Sequence, residues 1–369
     1  MSIPPFSLKD QIASIRTELD EAIAGVLDSG QFILGPNVKA LEAEVAAYAK
    51  VDHGVGVASG TDAIRLALQA INIGPGDEVI TTPFTFVATS HAIMRCGGKP
   101  VFADIEPDTW NMDPASVEAA ITPKTKAILA VHIYGHPCEM APLKALADKH
   151  GLKIIEDAAQ AFGAAYDGVP VGKLGDAACL SFFPTKNLGG FGDGGMVVTD
   201  DAELMGRVEF LRRQGSKKKY HSDEVGLNSR LDEMQAAIIR VKLRHFDAWQ
   251  ERRRAIANLY IEALSGSDGL QCPVVRDNAV HSFHQFTIEV ADREGLQAYL
   301  KDQGIMSTIY YPVPLHQQGW YSANGLEPVS VPVTEAATAR VLSLPMFPEL
   351  PLDDAKRVAD AVLAFVAKN

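Results

Sequence analysis

Residues 127–160 read AILAVHIYGHPCEMAPLKALADKHGLKIIEDAAQ. The run opens on an apolar stretch, residues 127–132, and closes on another, residues 153–156. Both are continuous rather than alternating, which suits strands covered on both faces of a parallel sheet. Between them, residues 142–150 carry a helical pattern that Gly151 stops. A strand, a crossover helix and a second strand make one βαβ unit. Glu156 and Asp157 end the second strand, on the edge where open α/β sheets bind ligands. A carboxylate there can hold a cationic nitrogen; it can equally cap a helix.

The same alternation extends outward. Strands are expected over residues 53–58, 78–82, 100–104, 179–183 and 195–199. Helices are expected over 61–71 and over 113–121, where Asp113 is an N-cap and Pro114 a first-turn proline. Residues 12–27 read as one helix leading into a Gly-Pro turn. From about residue 201 the pattern is mostly helical past Arg254. After the Gly/Ser-rich break at 265–269, residues 283–290 read as a strand, followed by helices. These patterns predict an α/β protein with a large domain over 1–249 and a smaller one over 250–369.

Composition narrows the function. The chain has 369 residues, enough for about two domains. Hydrophobic residues make up 47% and charged residues 22%, as in folded soluble proteins. With 34 Lys and Arg against 46 Asp and Glu, the net charge is −12. That argues against general binding to nucleic acid or an anionic membrane. Four scattered cysteines, Cys96, Cys138, Cys179 and Cys272, form no CxxC pair, so no zinc site or other metal site and no disulfide framework is expected. The N-terminus lacks the basic start and apolar run of a signal peptide, and no stretch reaches the ~18 apolar residues of a membrane span. A cytoplasmic protein is expected.

Three further segments carry chemistry. Ser59-Gly60-Thr61-Asp62 falls at a strand-to-helix junction, where free N–H groups and the helix dipole favour an anion. It reads as a phosphate cradle or as a plain helix cap. Ser181-Phe182-Phe183-Pro184-Thr185-Lys186-Asn187-Leu188 places one lysine between an apolar strand and the glycine-rich loop 189–195. A desolvated lysine can form a Schiff base, and glycines let backbone pass close to a flat cofactor. Ser181 could share a phosphate with Thr61. Gly190 to Gly195 satisfies G-x-G-x-x-G literally but precedes a strand, so it fails the dinucleotide-binding context. His91, His132 and His136 read as structural. The basic run Arg212, Arg213, Lys217, Lys218 and Lys219 reads as solvated surface or as partners for a diphosphate. Arg252 to Arg254 read as an exposed helix face, and Trp110, Trp249 and Trp320 as packing residues.

The ordered motifs SGTDA, TPFTFVAT, EDAAQAFGA, SFFPTKNL with GDGG, and GLNSRLDEMQAA resemble those of the DegT/DnrJ/EryC1/StrS sugar aminotransferases. The resemblance covers nearly the whole chain. It implies the fold-type I aminotransferase scaffold, a large mixed but mostly parallel sheet flanked by helices plus a smaller α/β C-terminal domain. It also implies pyridoxal 5′-phosphate, cycling with pyridoxamine phosphate. Position by position, it assigns Lys186 as the catalytic lysine that holds the cofactor and Asp157 as the partner of the pyridine nitrogen. Gln160 falls near the phenolic oxygen, and Gly60, Thr61 and Ser181 at the phosphate. Phe86 falls over the ring. Asn228 would reach the cofactor of the neighbouring subunit, which implies a homodimer with shared sites. Tyr311 and His316 resemble substrate-side residues. The implied substrate is a nucleotide-diphosphate keto-sugar, with L-glutamate as amino donor. The motif wording favours a 3-keto sugar, such as UDP-3-keto-N-acetyl-glucuronate or dTDP-3-keto-6-deoxyhexose, with a 4-keto sugar as the alternative. A non-catalytic sensor of the same fold is more distant, because the lysine, aspartate and glutamine positions are complete. Sugar 3-dehydratases of this family carry His at the lysine position.

Overall fold

The computed structural model describes residues 2–218 and 220–368. Seven strands form the central sheet: β1 (His53–Val57), β2 (Glu78–Thr81), β3 (Lys99–Phe102), β4 (Thr125–Val131), β5 (Lys153–Asp157), β6 (Ala177–Ser181) and β7 (Gly195–Thr199). Their spatial order is β1-β7-β6-β5-β4-β2-β3. β7 runs antiparallel to both of its neighbours, and every other pairing is parallel.

Period-2 pleating divides each strand between two cores. Ala127, Leu129, Ile155 and Val197 pack on one face, under the helix Gly60–Ala70. Ile128, Ala130, Ile154 and Val198 pack on the other, under the helices Pro36–Ala49 and Met140–His150. Both faces are thus buried, which is why these strands read as unbroken apolar runs. Gly151 closes its helix in the left-handed region at φ 66°. Asp113 caps Pro114–Ala120, accepting from the N–H groups of Ala115 and Ser116.

Two features differ from the sequence reading. The N-terminal helix is two, Lys9–Ser14 and Arg16–Ser29; Ile15 between them leaves helical geometry and packs with Leu19, Ile238 and Val241. Position 250 lies inside a continuous 32-residue helix, Glu233–Leu264. This helix packs its first half on the large core and its second half (Ile256, Tyr260, Leu264) on a separate C-terminal core. Ile3, at the other end of the chain, packs into that same C-terminal core. A three-stranded antiparallel sheet, β8 (Leu270–Gln271), β9 (Phe286–Val290) and β10 (Val341–Leu344), backs it in the order β8-β9-β10.

Two of the arginines expected at the surface are buried. Arg212, 2% exposed, donates to Glu42 and to the Gly56 carbonyl. Arg253, also 2% exposed, donates to the carbonyls of Phe283, His284 and Met346. Both tie the chain together through acceptors remote in sequence, and neither is free to meet a diphosphate. Among the described residues, no helix is long and apolar enough to cross a membrane, and no group of three or more His, Cys, Asp or Glu could hold a metal ion.

Gly195 opens β7 directly against the Ser59–Gly60 turn. A Cβ there would lie 2.5 Å from the Ser59 carbonyl carbon and 2.7 Å from Gly60 N. Gly195→Ala is therefore expected to lower the unfolding free energy by about 2 kcal/mol, as overpacking against backbone does. Gly206→Ala, on a helix with nothing within 4 Å, should stabilise by roughly 0.5–1 kcal/mol. Denaturant unfolding of the two variants checks the contrast.

Candidate active site

The C-terminal ends of the parallel strands and the start of β7 meet at one edge of the sheet. A cavity of about 490 Å³ opens there. It collects Gly60, Thr61, Ser181 and Lys186 with Asp157 and Gln160, and its mouth carries Phe86 and Tyr311.

β5 delivers its two acids to opposite faces, as a pleated strand must. Glu156 turns into the protein and is fully buried. It accepts hydrogen bonds from the N–H groups of Gly172, Leu174 and Gly175, and pairs with His132 Nε2 at 3.0 Å. The N–H of Cys138 donates to His132 Nδ1. That leaves the ring proton on Nε2, facing Glu156. His132 is a structural histidine, and it also forms part of the cavity wall.

Asp157 turns into the cavity and is 6% exposed. Burial pushes its carboxyl above the usual range. The Thr89 hydroxyl at 2.7 Å, the Ala159 N–H and the Lys186 charge pull it back down. The Thr89 hydroxyl proton is directed to Asp157, so Thr85, at 3.0 Å, is the donor to Thr89. Within TPFTFVAT, then, the first-turn threonine of the helix Ala88–Arg95 fixes the carboxylate.

Ser59 Oγ caps the helix Gly60–Ala70 by accepting from Asp62 N. A Cβ on Gly60 would stand 2.8 Å from Ser181 Cβ. The glycine therefore brings the helix N-terminus and Ser181 together into one cradle facing the cavity. Free N–H groups and two hydroxyls suit a phosphate.

Lys186 follows a tight turn in which its N–H bonds to the Phe183 carbonyl. Gly189 is required behind it, since a Cβ would meet the Phe183 and Pro184 carbonyl oxygens at 2.6 Å. Removal from water lowers the Lys186 amine to about 8, although Asp157 opposes the shift. Its neighbour Asn187 donates to the Ser282 carbonyl and to Gln250, so its oxygen accepts from His284 Nδ1 at 3.1 Å. Burial holds His284 well below the usual imidazole range, as does the nearby Lys186 charge. His284 is thus a neutral imidazole in the wall beside Lys186.

Gln160 has a fixed amide orientation. Tyr134 N donates to its oxygen at 2.6 Å, which turns Nε2 toward Tyr311 Oη at 3.0 Å. Phe86 is 56% exposed, with its ring 6.3 Å from that of Tyr311. Its outer face is available to cover a bound ring.

Two of the expected site residues lie elsewhere. Asn228 is exposed, pairs through its backbone with Arg213, and does not line this cavity. His316 also lies outside it, with Nε2 3.0 Å from Glu335. A nearby carboxylate captures the ring, which its place in YYPVPLH did not reveal. The sequence reading missed Thr89, Thr185, His284, Gln285 and Tyr310. Only Thr89 had a signal, its place as the last residue of the TPFTFVAT motif.

The cavity fits pyridoxal 5′-phosphate on its own chemistry. An anion cradle, a buried carboxylate and an amine near neutrality occupy one space, and Lys186 Nζ has no hydrogen bond from the described residues. Comparison with known proteins agrees. The profile of the DegT/DnrJ/EryC1/StrS aminotransferase family matches residues 13–363. The chain is 50% identical to a pleiotropic regulatory protein of Geobacillus stearothermophilus, over 99% of each chain. It is also 50% identical to a UDP-N-acetyl-3-dehydro-α-D-glucosamine 3-aminotransferase of Acidithiobacillus ferrooxidans, over 98% of this chain and 97% of that one. The crystal structure of Streptomyces venezuelae DesV in complex with a ketimine intermediate superposes with a TM-score of 0.96 at 47% identity, over 99% and 98% of the two chains. That of Bacillus subtilis NtdA with bound pyridoxamine phosphate superposes with a TM-score of 0.91 at 32% identity, over 96% and 82%. The chain belongs to the DegT/DnrJ/EryC1/StrS aminotransferase family, the pyridoxal 5′-phosphate-dependent sugar transaminases.

Proposed function

We propose that the enzyme transfers an amino group from L-glutamate to the 3-keto group of a nucleotide-linked sugar, in a homodimer whose subunits share their sites. The observation that carries the reading is Lys186, desolvated to about 8, in one cavity with Asp157 and the Ser59–Thr61 cradle. The 3-keto assignment is supported by the relative from Acidithiobacillus ferrooxidans, whose name specifies a 3-aminotransferase.

When bound, the cofactor supplies an electron sink conjugated to the amino group in transit. Gly60, Thr61 and Ser181 would hold its phosphate, and Lys186 would hold it covalently. Asp157, which accepts the Thr89 hydroxyl, would hold a proton on the pyridine nitrogen and so keep the ring electron-poor. Gln160 Nε2, pinned by Tyr134, would donate to the phenolic oxygen. Phe86 would cover the ring face and exclude water. A Lys186 amine near neutrality loses and regains a proton readily, so it can carry one between two carbons within its reach. Asn228, exposed and outside its own cavity, would reach the partner subunit's cofactor.

Three outcomes are expected. Titrating the cofactor-loaded enzyme with L-glutamate should abolish the visible absorption of the bound cofactor, and a 3-keto nucleotide sugar should restore it. Restoration by a 4-keto sugar alone would move the site of amination, and no response to any keto-sugar would defeat the sugar assignment. In the cofactor-free protein, labelling of Lys186 by an amine-specific reagent requires the neutral form. The depressed value puts ~10% of the amine in that form at pH 7, and its reactivity should level off above about pH 9. A rate still climbing at pH 10 would mean an ordinary lysine. Asn228→Ala should weaken cofactor retention by roughly tenfold, about one lost charge-assisted hydrogen bond. Unaltered retention, measured by equilibrium dialysis, would remove the cross-subunit contact.

A further inference from the structure

The cofactor cavity has a side chamber. A cavity of about 60 Å³ shares Thr185, His284, Gln285 and Tyr310 with it as walls. Its far side is apolar, formed by Phe6 of the N-terminal segment with Leu344 and Met346. That volume takes about two water molecules and is too small for an amino acid or a sugar ring.

Polar groups converge on the chamber. His284 gives its Nδ1 proton to Asn187, so Nε2 is a bare lone pair. Burial keeps the ring unprotonated and able to accept. Among the described residues, that nitrogen and the hydroxyls of Thr308 and Tyr310 have no hydrogen-bond partner, and each keeps surface open to solvent. Ser343, a further hydroxyl in the wall, is taken by Thr287 at 2.8 Å, and its backbone holds Thr308 in place through two hydrogen bonds. A polar pocket of this size with several free partners is a site for ordered water. Lys186 does not line the chamber, although Thr185 beside it does.

Taking nitrogen from an amino acid consumes one water. The donor carbon, doubly bonded to the nitrogen it is giving up, receives the water oxygen and leaves as a ketone. Both water protons end on the nitrogen that stays behind. We propose that the side chamber holds this water and that His284 Nε2 is the base that carries its protons. One proton passes through the imidazole as the carbon–oxygen bond forms, the other as the carbon–nitrogen bond breaks, so His284 is unchanged at the end. When the keto-sugar condenses, its oxygen leaves as water by the reverse path. The inference rests on the reading of this site as a transaminase that takes nitrogen from L-glutamate.

The test follows two events in one tube. Cofactor-loaded enzyme in D2O is given L-glutamate, and proton NMR reads loss of the α-hydrogen and appearance of the keto acid. Exchange of the α-hydrogen needs a seated donor and Lys186, whereas the keto acid also needs the water. In His284→Gln the ratio of exchange to keto-acid release is expected to rise at least about tenfold, the usual loss on removing a general base. A ratio does not depend on how much of the variant folds. Thr308→Leu, which fills the chamber and leaves His284 in place, is expected to move the ratio the same way. In a crystal structure of the enzyme, ordered water is expected within about 3.2 Å of His284 Nε2 and is expected to be lost in Thr308→Leu. An unchanged ratio in His284→Gln overturns the base. An unchanged ratio in Thr308→Leu, or a side chain of the partner subunit in the chamber in place of water, overturns the chamber as the source. Neither exchange nor keto acid in the unaltered enzyme overturns the glutamate reading instead, and the crystal structure then decides the water site by itself.

Discussion

A single buried carboxylate holds the working edge of this molecule in place. Glu156 lies at the end of β5 with no access to water, and a bare charge there would be untenable. Three backbone N–H groups from residues 172–175 and one imidazole converge on it. Those bonds clamp the loop before β6 and the segment after β4 onto β5 from both sides. The next residue, Asp157, is therefore presented to the cavity from a backbone that cannot drift. Thr89 then sets the rotation of its side chain from a third element. Removing one partner from such a cluster typically costs several kcal/mol, because the charge stays behind.

The remaining site geometry follows from parallel strands ending at one edge. β4, β5 and β6 bring Val131, Asp157 and Ser181 there, and the segments that follow the strands bring most of the rest. Gly60, Gly189 and Gly195 all stand where a side chain would strike neighbouring backbone or Ser181. They let the phosphate cradle, the lysine turn and the start of β7 crowd together. Proximity of Lys186 to Asp157 thus costs little at the moment of reaction, since packing has already set it.

Much of this was legible in the sequence for a physical reason. Strands buried on both faces leave uninterrupted apolar runs, so β4, β5, β6 and β7 stood out, and caps at Asp113 and Gly151 marked helix ends. Local motifs also drew attention to Lys186, Asp157 and the Ser59–Thr61 turn, which the structure gathers around one cavity, because each sits where a strand gives way to a turn or helix. The features that escaped depend on partners far along the chain. Arg212 and Arg253 read as surface charges until Glu42 and the carbonyls of residues 283, 284 and 346 close around them. His316, read as a substrate-side residue, lies outside the cavity with Nε2 3.0 Å from Glu335. The boundary expected near 250 rested on local pattern, and one helix runs through that position and serves both cores. Thr185, Gln285 and Tyr310 carry no local sign of their place in the wall.

The docking of Ile3 against residues 304–306 has a bearing on how the chain is made. Its N–H bonds to the Gly304 carbonyl and its own carbonyl accepts from Met306. A chain emerging from the ribosome N-terminus first exposes this apolar segment early, and its partners arrive only some 300 residues later. The contact that seals this part of the C-terminal core cannot form before residues 304–306 are made, some 300 residues after Ile3. The apolar stretch that holds Ile3 is brief and interrupted by two prolines, Pro4 and Pro5. Prolines of this kind discourage pairing with the strand edges of other nascent chains.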